Sequence, residues 1–260
     1  MEEMKMAPID LNADIGEGFG PWSFGEDEAL MRVISSANIA CGYHAGDAEI
    51  MSGMVDMAAQ FDVGIGAHVG FPDMLGFGRR DIAFEPRSFS KHIIYQIGAL
   101  AALASLHGRK VEHLNFHGAL GHMIATHEHL AEATISAVAA YDRNIIISTI
   151  PEGETMKAAR RHGIRTVGSF FADRAYGDDG KLLSRSLPGS VLTDSDAIAA
   201  RVIRLMEDGV VQTVGGNTLS LDARSVLVHS DTPGAAQHAC AIRDAVEQAG
   251  GQIVPLAQLV

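Results

Sequence analysis

One unit recurs along this sequence: a short apolar run, a loop that contains glycine and an acid or a histidine, and then an amphipathic segment. Residues 38–47 show it clearly, because His44 lies between Gly42 and Gly46 and Asp47 precedes a helical pattern. Glycine permits the positive φ angles that such sharp turns need. Comparable stretches occur at 10–17, 64–70, 114–120, 168–176 and 226–234. Loops of this kind after successive strands predict one shared pocket.

The alternation of short apolar strands with helices predicts a parallel sheet with right-handed crossovers. Polar residues at nearly every strand end favour closure into a barrel, because all strand ends of a barrel meet at one rim. We therefore predict an α/β fold, an irregular (β/α)7-type barrel, in one domain over residues 1–260. The predicted strands are 9–14, 38–41, 63–68, 111–116, 144–148, 166–171 and 225–229. The main predicted helices are 27–35, 86–108, 126–140, 153–162, 193–206 and 232–250.

Composition and charge exclude several kinds of partner. The formal charge is −12, with 20 Lys and Arg against 32 Asp and Glu, so the basic surface that nucleic acids or anionic membranes require is not expected. The longest apolar run, 97–106, is far shorter than the roughly 20 residues of a membrane span. The chain has two cysteines, and its first residues lack the pattern of a signal peptide. We expect a cytoplasmic protein that acts on a small molecule or binds another protein.

Acids and histidines at the predicted strand ends form the candidate site. Each has an ordinary alternative: Asp47 is expected to cap the helix after it, Asp231 could cap the last helix, and a single buried histidine is more often a packing residue. Four histidines, each at the end of its own strand, would however be costly to bury without a function. The predicted rim holds Asn12, Asp14, Glu17, His44, His68, His117, Asp173, His229 and Asp231. The other eight histidines, among them His113, are interpreted as surface or packing residues.

Two long segments without a helical or strand pattern, 69–85 and 172–189, follow strands, and the first is a candidate lid or substrate loop. The first carries Arg79 and Arg80, which are either a solvated pair or partners for a carboxylate or phosphate. The sequence has no Walker motif and no dinucleotide fingerprint, so the residues do not predict nucleotide binding.

The motifs together closely resemble the LamB/YcsF family, whose members are also called the A subunits of 5-oxoprolinase. The resemblance is carried by residues 10–17, 37–47, 66–73, 76–80, 117–120, 171–176 and 229–234. It implies a barrel of the glycoside hydrolase/deacetylase type. It also implies ATP-dependent opening of 5-oxoproline to glutamate, together with separate subunits B and C.

Several positions depart from the pattern of that family. Lys-Pro is usual where Asn115-Phe116 stand, Cys where Ala13 stands, Pro where Val69 stands, Tyr where Gly121 stands, and Gly where Ser230 stands. The neutral Asn115 cannot pair with a substrate carboxylate or phosphoryl group as a lysine would. A different lactam or cyclic amide is therefore an alternative substrate.

The residues suggest roles in lactam hydrolysis. Asp14 or Glu17 would act as general base or orient the nucleophile, His44 and His68 would polarise the carbonyl or bind a metal, and His117 with Asp173 would protonate the nitrogen. The predicted substrate-binding residues are Asn12, Arg79, Arg80, Asn115 and His229.

Two other functions remain open. Asp14, His44 and His68 would suit a divalent ion with an open position, as in a metal-dependent deacetylase or amidohydrolase acting on another lactam or an N-acyl substrate. A non-catalytic scaffold for partner subunits is the third possibility.

Overall fold

A computed structural model describes residues 6–260 of the chain. Residues 1–5 lie outside the described residues. They include the start of the predicted 1–260 domain and part of the stretch in which the sequence shows no signal-peptide pattern. No helix of the described part is both long enough and apolar enough to span a bilayer.

The strands are β1 Asp10–Ile15, β2 Ser36–Ala40, β3 Gly64–Val69, β4 His113–Phe116, β5 Ile146–Thr149, β6 Thr166–Phe171, β7 Val210–Gln212, β8 Thr218–Ser220 and β9 Ser225–Val228. The helices are α1 Asp27–Met31, α2 Ala48–Phe61, α3 Pro86–Ser105, α4 Gly118–Thr126, α5 Glu128–Tyr141, α6 Glu154–His162, α7 Ser195–Asp208 and α8 Ala235–Gln248. Short 3-10 turns lie at Met74–Gly76 and Leu256–Gln258.

Seven strands close into a parallel barrel in the order β1, β2, β3, β4, β5, β6, β9, and β9 returns to pair with β1. The predicted seven-stranded (β/α) barrel is thus confirmed, and all carboxyl ends meet at one rim. Strands β7 and β8 form a small antiparallel sheet between α7 and β9, which the sequence pattern did not predict. Each has only three residues, too few for a periodic signal.

Helix α4 was not predicted either: the predicted helix in this region starts only at residue 126. Its two glycines disfavour a helix in the sequence pattern. The structure explains one of them: a Cβ on Gly121 would lie 2.6 Å from the carbonyl oxygen of Phe116.

Of the two acids expected as possible helix caps, only one caps its helix. Asp47 caps α2 as predicted, since its carboxylate accepts from the backbone N–H groups of Glu49 and Ile50. Asp231 does not cap α8, whose N-cap is Gly234 without a side-chain bond. Helix α7, predicted over 193–206, has Asp194 as its N-cap, whose carboxylate accepts from the backbone N–H groups of Asp196 and Ala197.

Hydrogen-bonded polar side chains fill the inside of the barrel. Asn12 donates to Asp10 at 2.8 Å and to Ser225 at 2.7 Å, and it accepts from Asn38 at 2.8 Å. His113 Nε2 lies 2.9 Å from the Asn38 amide oxygen. All five residues are at most 1% exposed, so these bonds supply the partners that buried polar groups require. The network forms a fixed floor beneath the rim.

Candidate active site

Most candidate residues lie at or just beyond the carboxyl end of a barrel strand. Asp14 and His68 belong to β1 and β3, while His117 and His229 directly follow β4 and β9. His44 differs, because β2 ends at Ala40 and the imidazole reaches back from the following loop.

Glu17, His44, His68 and His117 form one compact cluster. One ligand atom from each lies within 4.8 Å of the others. Glu17 Oε1 is 3.1 Å from His44 Nε2 and 3.2 Å from His117 Nδ1, and His68 Nε2 is 2.9 Å from His117 Nδ1. All four residues are at most 5% exposed. The barrel therefore brings the three predicted histidines together around a buried carboxylate.

The protons of His117 are constrained by its partners. Its Nε2 lies 2.8 Å from the carbonyl oxygen of Phe77, which can only accept, so Nε2 carries a proton. Its Nδ1 faces both Glu17, an acceptor, and His68 Nε2. His68 Nε2 can donate to His117 Nδ1 in the His68 tautomer that carries its proton on Nε2.

Asp14 lies beside this cluster. Its Oδ1 is 3.4 Å from His68 Nε2 and accepts from Asn38 at 3.1 Å. Burial, together with the nearby charge of Glu17, raises the pKa of Asp14 to about 7. Asp14 can therefore exchange a proton near neutral pH.

Burial alone would raise the pKa of Glu17, but hydrogen bonds from His117 and His44 outweigh it and hold the pKa well below its usual range. Ser230 also donates to the second carboxylate oxygen of Glu17 at 3.2 Å. Burial, reinforced by His117, lowers the pKa of His44 to about 4 and that of His68 well below its ordinary value. Glu17 is thus ionised while His44 and His68 are neutral at pH 7.

Asp173 pairs with His229, and His117, its expected partner, contacts Glu17, His68 and Phe77 instead. His229 Nδ1 is 2.8 Å from Asp173 Oδ1, and Thr232 donates to the other oxygen. Burial would raise the pKa of Asp173 but His229 lowers it to about 2, and Asp173 in turn raises the pKa of His229 against the effect of burial. Because Nδ1 is committed to Asp173, His229 Nε2 is the nitrogen available for proton transfer.

The loop after β3 covers the cluster. Phe77 packs edge-on against His44 and His117, with ring centroids 5.8 and 5.0 Å away. Gly78 has φ +61°, and a Cβ there would lie 2.8 Å from both His117 and His44. The loop predicted as a lid or substrate loop is therefore in direct contact with the candidate site.

The remaining predicted residues lie at different depths. Asn12 belongs to the floor network, and Asn115, 5% exposed, is in register with His68 on the neighbouring strand. Arg79 forms an ion pair with Asp231 at the mouth. Arg80 instead pairs with Asp73 within its own loop and is 65% exposed.

Several residues at the site were not predicted. Asn38, Ser230 and Thr232 each hold a candidate carboxylate, and Arg185 pairs with Asp231. Asn38, Ser230 and Thr232 lie inside the motif stretches, so their position next to the predicted acids and histidines was the available signal. Arg185 lies in a long loop, where the sequence carries no signal for its partner.

The cluster fits a divalent metal by donor type, since three imidazole nitrogens and a carboxylate oxygen are groups that Zn²⁺ accepts. His117 also donates its other ring N–H to a carbonyl, as metal-ligating histidines usually do. Nδ1 of His44 and of His68 is buried without a hydrogen-bond partner in residues 6–260. The sequence suggested Asp14, His44 and His68 as metal ligands. The compact cluster keeps the two histidines, adds Glu17 and His117, and leaves out Asp14.

Two solved structures resemble the chain, one closely and one in its fold alone. The lactam utilization protein from Thermus thermophilus superposes with a TM-score of 0.91 at 37% identity, covering 96% of this chain and all of that one. The catalytic domain of a peptidoglycan N-acetylglucosamine deacetylase from Eubacterium rectale gives a TM-score of 0.52 at 9% identity, covering 99% of this chain and 92% of that one. The second likeness shows only a shared fold.

Sequence comparison covers nearly the whole chain. A protein from Ralstonia nicotianae, named as the second 5-oxoprolinase A subunit of that bacterium, is 50% identical over 250 residues, which are 96% of each protein. The family model described as LamB/YcsF matches residues 9–260. This chain therefore belongs to the LamB/YcsF family.

Proposed function

We propose that this chain is the A subunit of a 5-oxoprolinase, which opens the lactam ring of 5-oxoproline to give glutamate. In this proposal it works with separate subunits B and C and with hydrolysis of ATP. The observation that carries the proposal is the 50% identity, over 96% of both chains, to the Ralstonia relative named as a 5-oxoprolinase A subunit. The convergence of acids and histidines at one rim supports a catalytic role for this chain.

Ring opening requires three events. A water oxygen adds to the lactam carbonyl carbon, the carbon–nitrogen bond breaks, and the nitrogen takes up a proton. A five-membered lactam is hardly strained, so the carbonyl must be polarised and the water positioned. Coupling to ATP would supply the driving force.

Asp14 is the proposed general base, because its pKa of about 7 lets it accept a proton from water near neutral pH. Glu17 stays ionised and fixes His44 and His117 through hydrogen bonds. Neutral His44 and His68 then present imidazole groups toward a carbonyl or a metal. These roles place the base and the polarising groups on the same side of the barrel.

The proposed acid is His229, with Asp173 as its orienting partner. Asp173 fixes the Nδ1 proton of His229 and stabilises the charged imidazole, as an acid does beside a catalytic histidine elsewhere. His229 Nε2 could then deliver a proton to the leaving nitrogen, and His117 would act within the Glu17 cluster. Asn115, in register with His68 on the neighbouring strand, would offer its neutral amide to the substrate.

The test is an assay of the purified chain, alone and with subunits B and C, against 5-oxoproline with and without ATP. Glutamate formed only by the mixture and only with ATP is the expected result. No glutamate under any condition would contradict the proposal. Full activity of mixtures that contain any of the variants Asp14→Asn, His68→Ala and His229→Gln, each tested in turn, would instead favour a scaffold role for this chain.

A metal-dependent hydrolase is the second candidate, and the four-donor cluster is the observation that favours it. Glu17, His44, His68 and His117 would hold the ion, which would supply Lewis-acid polarisation of the carbonyl. Metal analysis of the purified chain, followed by an assay with a chelator, separates the two. Activity of the chain alone that is lost with the chelator and indifferent to ATP would favour this candidate.

A further inference from the structure

Arg79 and Arg185 approach one carboxylate at the mouth of the barrel. Both donate to the same oxygen, Oδ2 of Asp231, Arg185 Nη1 at 3.0 Å and Arg79 Nη2 at closer range. Asp231 is 9% exposed in its side chain, whereas Arg79 and Arg185 are 37% and 25% exposed. Two guanidinium groups therefore share a single, nearly buried acid.

The two arginines come from different loops, and each loop is fixed by its own contacts. Arg79 belongs to the lid after β3 and lies 4.9 Å from the centre of the Phe77 ring, which covers the histidine cluster. Arg185 belongs to the loop after β6, where buried Arg174 donates to the carbonyl oxygens of Ser190 and Leu183. Phe77 thus supports the Arg79 guanidinium, and Arg174 fixes the backbone of the loop that carries Arg185.

The charges at this point do not balance. Arg79, Arg185 and the neighbouring Arg174 carry three positive charges against the two negative charges of Asp231 and Asp173, which leaves one positive charge in excess. The guanidinium groups of Arg79 and Arg185 have five N–H donors each, and only one nitrogen of each is hydrogen-bonded within residues 6–260. Donors and charge remain for a second anionic group.

The position of this pair relates it to the candidate site. Asp231 follows Ser230, which donates to Glu17, and His229, which pairs with Asp173. The positive charge of Arg79 acts on His44, and that of Arg185 acts on His229. In each case it disfavours the charged imidazole and so works toward a lower pKa, although Asp173 keeps the pKa of His229 raised. The excess positive charge therefore lies close to the candidate site, at the residue that follows the Glu17 partner Ser230.

We infer that Arg79 and Arg185 form the site that binds the carboxylate of the substrate, and that the Asp231 carboxylate shows how the pair receives such a group. The inference rests on the proposed function, because 5-oxoproline carries one carboxylate beside its lactam. The fork of N–H donors on a guanidinium matches a planar carboxylate. Two fixed arginines would thus select an acidic lactam over a neutral one.

The experiment measures binding to the purified chain by calorimetry. Its probes are 5-oxoproline, the dicarboxylate glutarate as an acid without a lactam ring, the neutral lactam 2-pyrrolidinone, and inorganic phosphate. The variants are Arg79→Gln, Arg185→Gln and Asp231→Asn. Arg32→Gln is the matched control, because Arg32 also pairs with one acid, Glu28, but lies at the opposite end of the barrel, before β2.

Each arginine variant should weaken 5-oxoproline binding by about 10- to 100-fold, the usual effect of losing a charged hydrogen bond, and leave 2-pyrrolidinone unchanged. Asp231→Asn should strengthen 5-oxoproline binding, because it removes the competing carboxylate. A gain of affinity cannot come from a damaged fold. Arg32→Gln should bind every probe as the wild type does.

Equal losses for 5-oxoproline and 2-pyrrolidinone, or no loss for either, would overturn the inference. A loss confined to phosphate would overturn the carboxylate assignment. Wild-type turnover with ATP and subunits B and C, combined with an unchanged KM in the arginine variants, would refute the inference and leave the proposed function standing. If the wild type shows no turnover, the proposed function fails, and glutarate binding still decides the site: arginine-dependent binding supports it and absent binding refutes it.

Discussion

Asp14 and Glu17 lie three residues apart, yet their pKa values move in opposite directions. Burial and the charge of Glu17 raise the pKa of Asp14 to about 7, whereas hydrogen bonds from His117 and His44 overcome burial and lower that of Glu17. Carboxyl groups whose surroundings separate their pKa values in this way commonly divide acid–base work between them. Here Glu17 keeps its charge and holds imidazoles, while Asp14 is free to move a proton.

His68 touches both of these acids, so its loss should affect activity more than folding. We expect His68→Ala to lower kcat/KM by at least about 100-fold, the contribution typical of a positioned acid–base group. Steady-state kinetics of the assembled enzyme checks this, and circular dichroism checks the fold. His107→Ala is the control, because His107 is partly exposed and pairs with Asp56 on the surface. An unchanged rate for His68→Ala would remove His68 from the mechanism.

The Asp173–His229 pair predicts a pH-dependent contribution to stability. The pKa of Asp173 is depressed to about 2, so its contribution is complete above its ordinary value of 3.8 and is lost as the pH falls toward 2. The pKa of His229 is raised, so its contribution is complete below 6.5 and is lost as the pH rises through the raised value. Both contributions are therefore present between about pH 4 and 6.5.

We expect Asp173→Asn to reduce the free energy of unfolding by about 2 kcal/mol near pH 5 to 6, and by less toward pH 9 and pH 2. Urea denaturation of both proteins across this range measures the difference. A loss of stability that stays constant from pH 4 to pH 9 would show that the ion pair does not cause it.

At the scale of elements, β3 and β4 pack closely because Gly66 of β3 has no side chain. A Cβ on Gly66 would overlap the imidazole of His113, and His113 is held by Asn38, which also donates to Asp14. The absence of a side chain at this position of β3 thus admits the imidazole from β4. The floor beneath the Asp14 carboxylate depends on this fit.

Gly66→Ala should therefore destabilise the protein by about 1–3 kcal/mol, as overpacking of a core does. Gly98→Ala is the matched control, since a Cβ at this helical position would meet no described side chain within 4 Å beyond its chain neighbours, and the change should stabilise by roughly 0.5–1 kcal/mol. Urea unfolding of the two variants should give shifts of opposite sign. Equal shifts would show that contact with His113 is not the cause.

At the scale of the whole molecule, the end of the barrel opposite the site is closed by the segment after α8. Leu256 and Leu259 pack against Ile146 and Val167 at the starts of β5 and β6. The backbone N–H of Leu256 donates to Ser36 at 2.9 Å, at the start of β2. Because this end is sealed, the rim with its loops is the side from which a substrate can approach.

Leu256→Ala should lower the free energy of unfolding by about 2–5 kcal/mol, the usual cost of a cavity at a fully buried leucine. Leu106→Ala is the control, because Leu106 is 75% exposed and should change stability by less than about 0.5 kcal/mol. Denaturant melts of both variants provide the comparison. A small effect at Leu256 would mean that the seal contributes little to the fold.

The sequence by itself determined the barrel and its rim. Periodic apolar runs such as 166–171 matched β6, and the polar residues that follow successive strands had to converge once those strands lay parallel. The positions of Asp14, His68 and His117 at strand ends follow from local order along the chain. Short or glycine-rich elements such as α4 and β7 escaped prediction, because local pattern is weak there.

Only the tertiary structure decided which side chains pair. Asp173 meets His229 across 56 residues, and Arg79 meets Asp231 across 152, so no spacing along the chain indicates these contacts. The same holds for the pKa values, because burial and neighbouring charges set them and both arise only when the loops fold over the rim. Local patterns specify where a strand ends, whereas the contacts among distant loops specify which group at that end holds a proton.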